Sequence, residues 1–291
     1  MKPAPFEYHR PDSLDEALSL LASHGYDAKV LAGGQSLVPA MNFRLAQPAV
    51  LVDLNRVEGL DGIDDGAAGV RIGAMVRQRA AERSPVVAAR VPLLAEALPH
   101  VAHPQIRARG TVGGSLAHAD PAAEIPAVML ALGARLVVRG AGGERVVEAA
   151  DFFTDLFGTA LEAEEVLVAV EVPAARAGTG TAFAELSRRH GDFALAGVAA
   201  AVVLDAGRCV EARVALFGVG DGPVLAVEAG ALLVGEAASE ALFRAAGAAA
   251  AAALDPPADV HASADYRRHL AGVLVRRTLP RAFERARGGG G

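Results

Sequence analysis

Apolar residues recur at helical spacing over residues 13–25, where Leu14, Ala17, Leu18 and Leu21 share one face. Ser13 and Glu16 have the spacing of a capping box, and Gly25 suits the C-terminal cap. Short apolar runs then predict strands. The first is AKVLAGG, ending on Gly33 and Gly34. AVLVDLN over residues 49–55 and the alternating GVRIGAMV over residues 69–76 follow. VVAARVPLLAEALPHVA returns to helical spacing and predicts one or two short helices broken near Pro92 and Pro99. ARLVVRG, ERVVEAADFF and EVLVAVEVP predict three more strands. The first two thirds therefore reads as mixed α and β without clean βαβ alternation.

The pattern changes near PAARAGTGTAF, where Gly, Thr, Pro and Ala mark a loop around residues 173–181. Beyond it AFAELSRR, ALAGVAAAVVL and RCVEARVALFGVG read as strands, with DAGR as the hairpin turn between the last two. Two helices close the chain. One, ASEALFRAAGAAAAAAL, is stopped by Pro256 and Pro257; the other, SADYRRHLAGVLVRRTL, is expected to be interrupted at Pro280. We place a domain boundary near residue 176 and find no internal repeat.

Composition narrows the function. The 291 residues are 52% hydrophobic, enough for a sizeable core. A net charge of −6, from 28 basic and 34 acidic residues, argues against non-specific nucleic-acid binding. The basic stretch RRTLPRAFERAR reads as arginines on the exposed face of a final helix. The single cysteine, Cys209, excludes a disulfide within the chain and an iron–sulfur cluster of its own, which needs about four Cys ligands. MKPAPFEYHR lacks the apolar core of a signal peptide, and no apolar run reaches the ~18 residues of a membrane span. The expected compartment is the reducing cytoplasm.

Two segments can carry chemistry: AGGQSL over residues 32–37 and TVGGSLAHADPAAE over residues 111–124. Paired glycines let a backbone approach a ligand closely and adopt positive φ. Successive N–H groups there can converge on phosphate oxygens, and Ser36, Thr111 or Ser115 can add a hydroxyl donor. Each pair taken alone reads first as an ordinary tight turn. GVGDGP lacks the third glycine of a dinucleotide fingerprint and reads as a turn after a strand. His100 and His103 have no Cys or carboxylate nearby in sequence and read as packing or surface residues rather than metal ligands. His118 lies inside the second segment, where it can face a ligand. Glu124 either accepts hydrogen bonds from sugar-like hydroxyls or answers a helix dipole; spacing does not separate the two.

The two Gly segments, in this order and at this separation, resemble the FAD-binding medium subunit of molybdenum hydroxylases, the family of aerobic carbon monoxide dehydrogenase and of the flavin portion of xanthine dehydrogenase. RRHGDFALAGVAAAV and SADYRRHLAGVLVRRTL resemble that family's C-terminal domain, so the likeness covers nearly the whole chain. It implies an α+β fold: a two-subdomain FAD-binding unit of the PCMH type over residues 1–176, dividing near residue 57, then a small domain of antiparallel strands and helices over residues 177–287. It implies that Lys29, Val30, Leu31, Ala32, Gly33, Gly34, Gln35 and Ser36 wrap the FAD diphosphate, with Leu37 towards the isoalloxazine. Thr111, Gly114, Ser115 and His118 form the second part of the site, and Glu124 lies near ribityl or ribose hydroxyls. Val101 and Ala102 pack near the flavin or adenine, Leu161 gives an apolar contact, and Phe193 lies close to the ring. Some relatives carry a Lys where this chain has Ala184 and Glu185, which removes a cationic contact to the flavin.

The resemblance also implies partners: a large molybdopterin-binding subunit and a small [2Fe–2S] subunit, assembled as a dimer of heterotrimers. Electrons would arrive from the partner's clusters, collect on FAD and leave to an external acceptor, with no general acid or base required of this chain. The competing readings are a stand-alone FAD-dependent reductase or oxidase of related fold, and a non-catalytic binding module whose glycine segments are only turns. The site reading expects Val at Gly33 or Gly114 to release FAD with most of the fold intact.

Overall fold

The computed structural model describes residues 1–288. The first unit comprises β1 (Glu7–His9), α1 (Leu14–His24), β2 (Ala28–Leu31), α2 (Leu37–Asn42) and β3 (Val50–Asp53). Its three strands are parallel in the order β1-β3-β2, so helices and loops carry the crossovers. The Ser13 hydroxyl accepts the Glu16 N–H at 3.2 Å, Glu16 reaches back to the Asp12 N–H at 3.1 Å, and Gly25 closes the helix at φ +51°. The expected capping box and C-terminal glycine therefore set this helix.

The second unit opens with β4 (Ile63–Gly66) and β5 (Gly69–Gly73). Six short helices follow: α3 (Gln78–Arg83), α4 (Pro85–Arg90), α5 (Pro92–Ala97), α6 (Pro104–Arg107), α7 (Val112–His118) and α8 (Glu124–Leu132). Pro92 starts α5 rather than merely breaking a helix, because its missing N–H costs nothing in a first turn. Next come β6 (Arg135–Gly140), β7 (Gly143–Glu148), α9 (Ala149–Phe152), β8 (Phe153–Asp155), β9 (Gly158–Thr159) and β10 (Val166–Pro173). An antiparallel sheet of order β4-β5-β10-β6-β7 forms the unit's floor. The strand expected through ERVVEAADFF stops at Glu148, and α9 buries Ala149 and Phe152 in the core.

The third unit is β11 (Thr179–Ser187), β12 (Ala194–Asp205), β13 (Arg208–Phe217), β14 (Val224–Leu225), α10 (Val227–Leu233), α11 (Glu240–Ala252) and α12 (Ala264–Gly288). Its four strands pair antiparallel in chain order. Ala206 and Gly207, both at positive φ, make the two-residue β12–β13 turn. α12 runs unbroken through Pro280, against expectation. Val275, Thr278, Leu279, Ala282, Phe283 and Ala286 are buried on both sides of the proline, and that packing outweighs its cost of about 3 kcal/mol. Among the described residues no helix is long and apolar enough to cross a membrane.

The units share cores. Leu18, Leu21, Val50 and Val52 of the first unit cluster with Val137, Val166 and Val168 of the second. α8 is buried from Glu124 through Ala131 because it lies between two sheets. One side meets Ile72, Leu136 and Val170; the other meets Phe183, Ala199, Ala215 and Phe217. A helix apolar on every face can sit only in such a place.

α12 approaches β11 closely at Gly180, where an added Cβ would lie 2.1 Å from the Ala282 carbonyl oxygen and 2.3 Å from the Ala286 nitrogen. Gly180→Ala is expected to lower the unfolding free energy by about 2 kcal/mol through overpacking, read from the urea midpoint.

Candidate functional site

β2 delivers the chain to a glycine turn. Gly34 sits at φ +71°, where any side chain would be strained, and Gly33 is buried against Arg109 and Gly110, just ahead of the second segment. A Cβ on Gly33 would lie 2.5 Å from the Arg109 carbonyl oxygen and 2.7 Å from Gly110 Cα. Gly33 is thus required by the contact between the two segments themselves. This corrects the expectation for Gly33→Val: that change forces the loops apart and damages the fold as well as any ligand site.

Long-range polar contacts staple this contact. Asn55, just after β3, donates to the Ala32 carbonyl at 2.9 Å. Arg77 donates to the Asn55 side-chain oxygen and to the Arg109 carbonyl, joining both segments through one guanidinium. A cleft of about 390 Å³ opens beside them, lined by Leu31, Ala32, Gly33, Gly34, Gln35 and Arg109, with Val38, Pro39, Asp53 and Asn55 completing its walls. Among the described residues, the backbone N–H groups of Gly33, Gly34, Gln35 and Ser36 have no acceptor within the chain. The Ser36 hydroxyl caps nothing, although Ser36 precedes α2. This is a ready set of donors for an anion.

The second segment differs from expectation. Its glycines form the first turn of α7, with Thr111 as the N-cap. Every N–H there is taken: Val112 donates to Val76, Gly113 to Ala74 and Gly114 to the Thr111 hydroxyl, each at 2.9 Å. This turn supplies no nest of free N–H groups. Its glycines serve close packing, since a Cβ on Gly113 would strike Ala74 at 2.4 Å and one on Gly114 would lie 2.6 Å from Thr111 Oγ1. The Gly114 position also lies 3.6 Å from the Ala32 side chain, so α7 abuts the first turn. Ser115 is half-buried beside it.

Of the other candidates, Lys29 is exposed on β2, Val30 packs against the first unit's core, and Leu37 begins α2. Val101 is buried and Ala102 adopts φ +43°. Arg107, itself buried, holds them by donating to the Val101 carbonyl at 2.8 Å and the Ala102 carbonyl at 3.3 Å. The loop bearing Phe193 folds over this segment, with Gly191 tight against His103 and the Ala102 carbonyl; Phe193 itself is 70% exposed. His118 packs on Phe157 with ring centroids 5.2 Å apart, and burial pushes its pKa down. Leu161 is half-buried against the main core.

Glu124 begins α8 and is only 7% exposed. Burial pushes its carboxyl from the ordinary 4.5 to about 8, despite the bond to its own N–H and the opposing influence of His100. Loss of water therefore outweighs both of these opposing influences. His100 packs on Phe183 with centroids 5.2 Å apart, and its Nδ1 lies 3.4 Å from a Glu185 oxygen, a partner far away in sequence.

Residues 4–175 match the family described as FAD binding domain in molybdopterin dehydrogenase. The chain belongs to that family. Residues 181–282 match the CO dehydrogenase flavoprotein C-terminal domain. The chain is 45% identical to the 6-hydroxypseudooxynicotine dehydrogenase complex subunit alpha of Paenarthrobacter nicotinovorans, over 99% of this chain and 97% of that one. It is 42% identical to the carbon monoxide dehydrogenase medium chain of Afipia carboxidovorans, over 99% and 100%. A solved carbon monoxide dehydrogenase from Hydrogenophaga pseudoflava superimposes with a TM-score of 0.96 at 44% identity, covering 98% of this chain and 99% of that chain. The cofactor of this FAD-binding family is FAD, and the free N–H groups beside the cleft suit its diphosphate.

Sequence reasoning missed Asn55 and Arg77, which reach distant carbonyls, Arg107, which pairs with the Glu82 side chain 25 positions away, and Glu185 as the partner of His100. Arg109, just ahead of the second segment, carried no local signal. For Glu124 the sign of the pH effect is fixed: its folded pKa lies above the unfolded one, so its contribution is intact below about pH 4.5 and is lost as pH rises to about 8. In the FAD-free chain, the stability of Glu124→Gln relative to wild type should therefore improve as pH is raised across that window and level off above it, as measured by urea unfolding.

Proposed function

We propose that this chain is the FAD-carrying medium subunit of a heteromeric molybdenum hydroxylase, assembled with a large molybdopterin-binding subunit and a small [2Fe–2S] subunit as a dimer of heterotrimers. The observation that carries the cofactor site is the run of acceptor-free N–H groups from Gly33 to Ser36, of which Gly33, Gly34 and Gln35 line a cleft, in a chain of the FAD-binding family. When bound, FAD supplies the redox chemistry, receiving electrons from the partner's clusters and yielding them to an external acceptor.

The residues of this chain bind and orient. Gly33, Gly34, Gln35 and Ser36 offer N–H groups, and Ser36 a hydroxyl, to the diphosphate. Lys29, Val30, Leu31, Ala32 and Leu37 form the walls that lead to it. Thr111, Gly114 and Ser115 close the opposite side through hydroxyl groups and close packing rather than free amides. Val101, Ala102, His118, Leu161 and Phe193 surround the ring and adenine portions, and Glu124 meets sugar-like hydroxyls. Its raised pKa makes Glu124 a donor as well as an acceptor there. We read the chain as two domains dividing near residue 176, working in the cytoplasm.

The substrate is chosen on another subunit. This reading is supported by relatives of similar identity whose names refer to substrates as unlike as carbon monoxide and a hydroxylated nicotine derivative. The one cysteine of this chain also leaves the iron–sulfur chemistry to a partner.

Ser36→Asp separates binding from folding. Ser36 is exposed and its hydroxyl makes no bond within the chain, so thermal stability should be nearly unchanged. A carboxylate facing the diphosphate costs several kcal/mol, or on the order of a hundredfold or more in FAD affinity. The purified variant should emerge from gel filtration without flavin absorbance; stoichiometric FAD would count against the site.

A further inference from the structure

A larger cavity, of about 590 Å³, lies on the seam between the second and third units and shares no lining residue with the cleft beside the glycine turn. One wall is the face of the third unit's sheet that packs on α8. Thr181, Ala201 and Arg213 stand in one row across β11, β12 and β13, and Thr179, Val203 and Glu211 form the next. On the other side of the first row, Phe183, Ala199 and Ala215 are buried in the core. The sheet face thus runs from a filled interior into an open pocket, where the small side chain of Ala201 leaves a gap between Thr181 and Arg213. The opposite wall is apolar, with Ala131 and Leu132 from the end of α8 and Val172 and Pro173 from the end of β10. The linker of residues 174–176 and the side chains of Arg90, Glu96 and Arg285 are also part of the lining.

Most of the charged groups are already engaged. Arg90 faces Asp65 at 3.3 Å, Arg176 donates to Glu211 at 3.1 Å, and Arg285 donates to Glu96 and to the Thr181 carbonyl. Arg213 is different. Among the described residues its guanidinium donates no hydrogen bond, and it stands 3.5 Å from a Glu211 oxygen whose charge Arg176 already answers. Arg213 is held over the C-terminal end of α8, where a Cβ on Gly133 would lie 1.5 Å from its Nη1. Among the described residues the Thr181 hydroxyl has no partner either, although Thr181 is only 6% exposed. Four arginines against two glutamates in the lining favour an anion over a cation.

We propose that this cavity binds a small amphipathic monoanion, a carboxylate carried on an aromatic or aliphatic body. The carboxylate meets the unspent donors of Arg213. The body fills the gap over Ala201 and lies against Ala131, Leu132 and Val172, within reach of the Thr181 hydroxyl. The volume is that of a site for a small organic molecule, and a few placed polar groups beside an apolar wall are what orient such a ligand. The walls come from both domains, so an occupant stabilises their seam according to its concentration and affinity. The inference does not rest on the FAD site, which has a different lining.

Isothermal titration of the full-length FAD-loaded chain with 2-naphthoate tests this, with 2-naphthalenemethanol as the uncharged counterpart. A single naphthoate is expected to bind, about tenfold or more tighter than the alcohol. Arg213→Ala should weaken naphthoate on the order of tenfold and leave the alcohol unchanged. Arg213→Gln, which keeps a long polar side chain without the charge, should behave alike. Ala201→Phe, which fills the gap, should abolish binding of both compounds. Arg213 is 41% exposed and Ala201 half-buried, so the variants should keep their FAD and the wild-type thermal transition. The proposal is overturned if naphthoate shows no saturable binding up to its solubility limit, or if the alcohol binds as tightly. It is equally overturned if naphthoate affinity is unchanged in the Arg213 variants and in Ala201→Phe; the cavity is then only solvent between two domains.

Discussion

The site depends on two backbones touching. The first glycine turn lies against Arg109 and Gly110, and the start of α7 lies against Ala74, each at distances that leave no room for a Cβ. Such contact joins the parallel sheet of the first unit to the helices of the second without intervening side chains. Asn55 and Arg77 then fix its register by occupying carbonyls on both sides. The amide groups of the first turn are left over because no further chain can reach them. A surface built this way suits an anion more than any apolar ligand.

The two halves of the cleft do different work. The first turn contributes unpaired donors, whereas the start of α7 has spent its amides on the segment after β5 and on its own N-cap hydroxyl and contributes shape. A pair of similar glycine motifs therefore hides a division between recognition and packing. Their likeness in sequence reflects a shared demand for absent side chains, met for different reasons.

Local order was legible where neighbours in sequence decide it. Ser13, Glu16 and Gly25 marked α1, and Ala206 with Gly207 marked a hairpin, because caps and turns are settled within a few residues. The family and its cofactor were legible from two motifs. What escaped was non-local. Pro280 was read as an interruption, but a buried stripe on both sides keeps α12 intact. The second glycine pair was read as a phosphate loop, but its amides are claimed by the Ala74 carbonyl and the Thr111 hydroxyl. The roles of Arg77 and Glu185 rest on partners brought close only by the finished fold, and no local pattern announces them.

The clamp of Arg281 and Arg285 on Glu96 spans 185 and 189 positions of chain. Loop closure over that length makes it a late event in folding. During synthesis the glycine turn and its cleft can form well before the downstream helix arrives to bolt the two domains together. The bolt between the domains is thus among the last contacts the growing chain can make.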